Sequence, residues 1–276
     1  MATTPGPDPE RLVAFTAGVR QLPLMPALAV DLVRSVQDEQ IGSIELGCRI
    51  GADAALAAQL LRLVNSPFYG LSRRVGTVGD AVALLGFNLV RRLVAATLTQ
   101  RPAAELLPDN ADTRGFWRHQ LLVAALARAL HATQAEDGAE TAYMAGLLHD
   151  TGRLALHAWQ PGPDTLPTPS HRVGEEAVVA AERARHGLDH AQAGAALLGA
   201  WQLPEAIVHA VGTHADATAP VDPTAASVWQ ANRLAHLLEA DVTTAATPPW
   251  LGDVGLTPDS LRRLLDEVDA VAGRAR

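Results

Sequence analysis

His149 and Asp150 stand side by side in "AGLLHDTGRL", Ala145 to Leu154. A neighbouring imidazole and carboxylate can share a metal ion and activate its water. Further histidines lie in helix-like segments with apolar neighbours: His119 in "FWRHQLLVAALA", His190 in "GLDHAQAGAALL" and His214 in "AIVHAVGTHAD". Neutral imidazoles suit Zn, Fe, Ni or Cu, and carboxylates extend the choice to Mn and Mg. Such groups, converging from different helices of one bundle, could hold a metal pair. Taken singly, each histidine reads more simply as capping a helix end or bonding a carbonyl. The adjacent His-Asp pair favours a common pocket, either a working metal centre or the remains of one kept for packing.

Other candidates are plainer. His186 and His190 have the i, i+4 spacing of a helical metal pair, but Gly187 and Asp189 predict a helix start between them, which separates the rings. Cys48 has no His-Asp context and reads as a buried thiol. Arg62, Arg73, Arg74, Arg91 and Arg92 gather positive charge, either on a solvated face or against an acidic partner or a nucleotide phosphate. "NSPFYG", Asn65 to Gly70, predicts a corner. Asn65 and Ser66 would bond local backbone, Pro67 would stop the helix, and Phe68 and Tyr69 would wedge between helices. The functional reading of that corner is a partner-binding surface between two subdomains. There is no Gly-rich phosphate loop and no nucleophile elbow.

The elements that must position these groups are helices. Apolar residues make up 48% of the 276 but aromatics only 4%, so the core rests on Ala, Leu and Val. Pro26 predicts a helix start, with Leu28, Leu32, Val33 and Val36 at helical spacing. Ser43 and Asp53 are N-caps, the second for a stripe of Leu56, Leu60, Leu61 and Val64. Thr77 and Asp80 have capping-box spacing before "AVALLG" and "NLVRRLVAATL". After the loop-like "RPAAELLPDNADTR" come helices over Phe116–His131 and Glu140–Trp159, the latter carrying the His-Asp pair. Beyond the Pro-rich "PGPDTLPTPS", the pattern predicts helices over Glu175–His186, His190–Gly199, Pro204–His214 and Thr224–Ala240. "TTAATPPW" precedes a last helix capped by Thr257, with Leu261, Leu264, Leu265 and Val268 on one face. No alternating strand pattern and no internal repeat is found.

The net charge of −8 argues against a dedicated nucleic-acid binder, and few aromatics accompany the arginines. A single cysteine excludes an internal disulfide and fits a cytoplasmic protein. "MATTPGPDPE" reads as a disordered tail without a signal core, and "LLVAALARAL" is too short to span a membrane. The organisation expected is a disordered tail over 1–11, an N-terminal helical subdomain over 12–100, a helical bundle over 101–240, and a linker with a C-terminal helix over 241–276.

"LLHDTGRL" resembles the signature of the HD metal-dependent phosphohydrolases. The ordered set "LPLMPALAVDLV", "LLRLVNSPFYGLSRRVGTVGDAVALLGFNLVRRLV", "GFWRHQLLVAALARAL", "AYMAGLLHDTGRLAL", "ERARHGLDHAQAGAALLGAWQLP" and "AIVHAVGTHAD" resembles one branch, the HDOD (HD-related output) domain of bacterial signalling proteins. It runs from Leu22 to Asp216. The resemblance implies an all-α fold, with the N-terminal subdomain packed on an HD-like bundle. It implies one or two divalent ions (Fe, Mn, Zn or Mg) on His119, His149 and Asp150, with His190 and His214 joining in a two-metal arrangement and Asp150 able to bridge.

The sequence departs from the active enzymes at several points. Asn232 stands where a late aspartate ligand is expected, a neutral oxygen donor that cannot act as a base. The histidine commonly doubled near His214 is single, and the Gly-Tyr-Pro segment of cyclic-dinucleotide phosphodiesterases is absent. Arg153 replaces a lysine; it can bind phosphate but is not an equivalent proton donor. The expected function is therefore a signalling output module that binds other signalling proteins and is catalytically inactive, with a phosphohydrolase or cyclic-dinucleotide phosphodiesterase as the alternative. A sensor of nucleotide, phosphoester or metal is a third reading. No receiver, kinase or cyclase segment reads from these residues, so a separate partner is expected to bring the input.

Overall fold

The computed structural model describes residues 9–19, 22, 43–90, 92, 111–161, 174–240 and 257–273. The helix expected after Pro26, Arg91, most of "NLVRRLVAATL", most of the two Pro-containing loops and "TTAATPPW" lie outside the described residues; residues 111–114, expected at the end of the first loop, are helical instead. All regular elements among those described are helical: α1 (Pro9–Gly18), α2 (Ser43–Ile50), α3 (Ala54–Val64), α4 (Val78–Leu85), α5 (Ala111–Gln134), α6 (Ala139–Leu148), α7 (Thr151–Trp159), α8 (Glu175–His186), α9 (His190–Ala200), α10 (Glu205–Thr213), α11 (Pro223–Ala240) and α12 (Pro258–Gly273). No described helix is long and apolar enough to cross a membrane. α1 begins inside the stretch expected to be a disordered tail, because Pro9 suits a first helical turn and Phe15 is fully buried.

Caps fix where the helices start. The Asp53 side chain accepts from the Leu56 N–H at 2.9 Å, and behind it Leu56, Leu60, Leu61 and Val64 are all buried. Thr77 accepts from the Asp80 N–H at 3.1 Å. Asp189 and Gln192 form a reciprocal capping box at α9, and Gly187 ends α8 with φ 70°, so His186 and His190 point apart as expected. Thr257 caps α12, whose Leu261 and Val268 are buried against the bundle.

α5 is the spine of the bundle. It packs on α6, α11 and α12, while α6 also meets α10 and α11. α7 lies on α9, and α9 on α10. The smaller α2–α4 group packs within itself and meets the bundle through α3 and α6, where the Tyr143 hydroxyl donates to the Gly51 carbonyl at 3.2 Å. Trp117 and Trp201 are buried anchors, as their apolar neighbours imply.

Three expectations are corrected. The Asn65 backbone N–H bonds the Leu61 carbonyl at 3.0 Å as expected of a helix end, but its side chain reaches further: the amide donates to the Val75 carbonyl at 2.9 Å and accepts from the Val75 N–H at 2.7 Å, closing a ten-residue loop. That loop carries Phe68 outward, 88% exposed, rather than as a wedge. Cys48 is exposed rather than buried, beside an open cavity of about 590 Å³ between α2, α4 and α6.

Two crossings are unusually close. A Cβ at Gly146 would lie 2.8 Å from the Ala124 Cα, so α6 sits nearly backbone to backbone on α5. A Cβ at Gly152 would collide with the His190 carbonyl oxygen and lie 2.7 Å from the Gly194 nitrogen. These obstacles are backbone atoms and cannot rotate away. Gly152→Ala is expected to destabilise the protein by about 3 kcal/mol, lowering the melting temperature by roughly 10 °C. A thermal melt indistinguishable from wild type would refute this packing.

Candidate metal centre

The helix expected to run through the His-Asp pair is interrupted at the pair. α6 ends at Leu148 and α7 starts at Thr151, with Asp150 at φ −97° and ψ 9° between them. The break sends both side chains to one side, into the space between α5, α9, α10 and α11. The His149 Nδ1 proton goes to the Gly146 carbonyl at 2.7 Å, which leaves Nε2 as a bare lone pair. That atom is buried without a hydrogen-bond partner, 3.7 Å from Asp150 Oδ2.

His190 opens α9 and His214 follows the end of α10, so the α9–α10 hairpin supplies both. Their Nε2 atoms face each other at 3.1 Å. His214 Nδ1 donates to the Val211 carbonyl at 2.7 Å, and His190 Nδ1 to Glu182 Oε2 at 2.6 Å. Two ring nitrogens whose partner nitrogens already hold the protons thus confront each other. Asp150 Oδ1 joins them, 3.5 Å from His190 Nε2 and 3.6 Å from His214 Nε2. Acceptors cannot converge in a buried site unless a proton or a cation stands among them.

His119, on α5, completes the cluster; its ring centroid lies 5.3 Å from that of His149. Its Nδ1 donates to Glu239 Oε2 at 2.9 Å and its Nε2 lies 3.1 Å from Asn232 Oδ1, both partners coming from α11. His119 with His149 and Asp150, and Asp150 with His190 and His214, each bring ligand atoms within 4.8 Å of one another. All the histidines expected in the site, Asp150 and Asn232 are therefore brought together, and all are buried. Arg153 turns inward: its Nη1 is 3.4 Å from Asp150 Oδ2 and its Nε 3.9 Å from Glu182 Oε1, so two carboxylates already hold the group expected to bind phosphate.

The sequence reading did not single out Glu182, Glu239, His236 and Glu175. The first two accept Nδ1 protons and so orient His190 and His119 with Nε2 inward, as carboxylates commonly do behind metal-bound histidines. His236 stacks on His119 at 4.7 Å, and Glu175 bonds its Nε2 at 3.0 Å. A signal for the α11 pair was present: Asn232, His236 and Glu239 are spaced i, i+4, i+7, one helical face. The residues fit a divalent cation, on the evidence of the orphaned His149 Nε2 and the bare nitrogens opposite Asp150.

The electrostatics give the metal-free balance. Burial pushes the His149 imidazole well down, so it is neutral. Burial would raise Asp150, but the surrounding imidazoles and the Arg153 guanidinium hold it well below the carboxylate range. Burial also disfavours a charged His190, yet Glu182 and Glu175 outweigh it and push His190 well up; Glu239 likewise raises His119 against burial. A raised histidine stabilises the fold fully below the unfolded value of about 6.5, and that contribution fades as pH rises through the folded value. A cation on His190 must displace its proton. Zn²⁺ binding at pH 7 should therefore release about one proton or more, seen calorimetrically as an enthalpy that varies with buffer ionisation heat. The metal-free protein should also lose thermal stability on the alkaline side while the loaded protein does not. A buffer-independent enthalpy would show His190 to be neutral.

The sequence matches the model of the HDOD domain over residues 22–217. It is similar to the MmoQ response regulator of Methylococcus capsulatus str. Bath, at 26% identity and a TM-score of 0.72, over 89% of this chain and 98% of that one. A virulence factor from Campylobacter jejuni shares the fold, at 17% identity and a TM-score of 0.66 over 96% and 97% of the two chains. An uncharacterised protein of Treponema pallidum (strain Nichols) is 25% identical over 207 residues, 71% of this chain; this chain spans 38% of that protein's length. With the matched segment reaching from before the Asn65 loop to beyond His214, the chain belongs to the HDOD domain family.

Proposed function

We propose that the protein is a cytoplasmic signal-transduction output module that works by binding other signalling proteins, and that its buried centre holds a cation without turning over substrate. Membership of the HDOD family supports the signalling role, as does the similarity to a response regulator. The observation that carries the second half is the amide of Asn232, 3.1 Å from His119 Nε2, in place of a carboxylate. An amide adds no negative charge to balance a dication and takes up no proton at working pH. Arg153, held by Asp150 and Glu182, is no ready proton donor either.

The chemistry a cation would supply here is Lewis acidity and a more acidic bound water. His119, His149, Asp150, His190 and His214 would hold it, with Asn232 as a neutral donor. Around them the protein provides orientation, through Glu182, Glu239 and the Gly146 and Val211 carbonyls. Glu182, Glu239 and Asp150 are already engaged by His190, His119 and Arg153, so none of these three stands as an unencumbered general base. Purified protein loaded with Mn²⁺ or Fe²⁺ should hydrolyse bis(p-nitrophenyl) phosphate and cyclic di-GMP no faster than its Asp150→Ala variant. Turnover lost in that variant would make the protein a phosphohydrolase instead.

For the interaction role, support comes from the Asn65–Val75 loop. Phe68 stands out at 88% exposure, with Leu71, Arg73 and Arg74 also exposed beside it. An exposed aromatic flanked by arginines fits an acidic protein surface with an apolar centre. A photo-crosslinking benzoylphenylalanine in place of Phe68 should give a discrete adduct with a signalling protein in the source cell, absent with the same probe at exposed Arg263. The adduct should survive in the His149→Ala/Asp150→Ala variant provided it stays folded. Adducts no different from the Arg263 control would remove this surface from the proposal.

A further inference from the structure

Glu175 stands in the first turn of α8, on a segment that neither the His-Asp pair nor the other candidate ligands draw attention to. Its Oε2 bonds His236 Nε2 at 3.0 Å. Its Oε1 lies 3.1 Å from His190 Nε2 and is buried, yet makes no aligned hydrogen bond. His190 Nε2 is thus the hub of an unusual gathering. Around it are Glu175 Oε1 at 3.1 Å, His214 Nε2 at 3.1 Å and Asp150 Oδ1 at 3.5 Å. All of these are acceptors, and the Nδ1 protons of both histidines are committed to Glu182 and Val211. A single proton on His190 can satisfy only one neighbour well. A divalent cation satisfies two nitrogens and two carboxylate oxygens together, a donor set suited to Zn, Fe or Mn.

Exposure separates Glu175 from the others. Its side chain is 22% exposed, against 0% for His190 and His214 and 3% for Asp150, so it approaches from the open side of the site. Asn232 removes a negative charge on the His119 side, and the histidine expected to be doubled near His214 is single. A carboxylate on the His190 side makes up both deficits, in charge and in ligand number.

We infer that Glu175 is a ligand of a divalent transition-metal ion held with Asp150, His190 and His214. This rests on the reading that the centre holds a cation. It deepens that reading by adding a second carboxylate to the set of residues that would hold the cation.

The test is Mn²⁺ titration of the full chain, with free ion followed by electron paramagnetic resonance and bound ion by water-proton relaxation. Wild type, Glu175→Gln, Glu175→Ala, Asp150→Ala and the exposed neighbour Glu176→Gln are compared after circular dichroism confirms their fold. Both Glu175 variants should bind Mn²⁺ at least roughly tenfold more weakly, the scale that losing even an outer partner costs. Their bound ion should also show higher relaxivity, because water replaces the carboxylate. Glu176→Gln should match wild type. Weaker binding with unchanged relaxivity would make Glu175 only an orienting partner of His190 and overturn the inference. So would unchanged affinity in both Glu175 variants, while loss of binding in Asp150→Ala would leave the cation reading standing. Absence of Mn²⁺ binding by the wild type overturns both.

Discussion

The near contact of α7 with α9 is the constraint on which the rest of the site depends. Gly152 lies so close to the His190 carbonyl and the Gly194 nitrogen that no side chain fits between the two backbones. Asp150 precedes Gly152 by two residues, and His190 is the first residue of α9. Their proximity follows from the crossing rather than from side-chain reach. The same economy operates at Gly146, which lets α6 lie against Ala124 of α5 and whose carbonyl takes the His149 Nδ1 proton. Small residues thus set both distances that bring the His-Asp pair to its partners. Large side chains at these points would push the helices towards the ordinary 8–10 Å separation.

Around that frame the imidazoles are turned by what lies behind them. Backbone carbonyls hold His149 and His214, while carboxylates hold His190 and His119. The difference has a consequence for charge. A carbonyl takes the proton without supporting an imidazolium strongly, whereas a buried carboxylate supports it well. The centre therefore holds one ring that burial keeps neutral, His149, and two, His190 and His119, that carboxylates support in the charged form when no metal is present. Protons and cations compete for those two.

The helical architecture was readable because caps and apolar stripes coincide. Asp53 with its leucines, Asp189 with Gln192, and Thr257 with Leu261 and Val268 each supply a local signal that packing then reinforces. The candidate ligands were readable for a different reason: His119, His149, His190 and His214 are polar residues in apolar surroundings, which marks them as buried and purposeful. What was not readable depends on contacts distant in sequence. The break at His149–Asp150 is invisible because both helices keep one continuous apolar pattern. The Asn65 side chain finds Val75 while its backbone N–H caps its own helix, and the loop so closed turns Phe68 outward. Glu175 and Glu182 look like ordinary exposed acids of a charged helix until α8 is laid across the site. Cys48 is exposed because the surrounding residues of α2 and α4 are too small to cover it.

The α9–α10 hairpin joins the two regions of interest. One end carries His190 and His214. The other end is the turn at Trp201–Pro204, where Arg62 of α3 stacks on Trp201 at 4.8 Å. A Cβ at Gly76, one residue beyond the Asn65–Val75 loop, would stand 3.1 Å from Pro204 Cγ. The loop that presents Phe68 is therefore seated on the same hairpin whose far end meets Asp150. In a packed interior, helices move as rigid rods, so the spacing of His190 from His214 and the seating of the loop are set by one body. The hairpin thus ties the buried His-Asp centre to the exposed Phe68 loop.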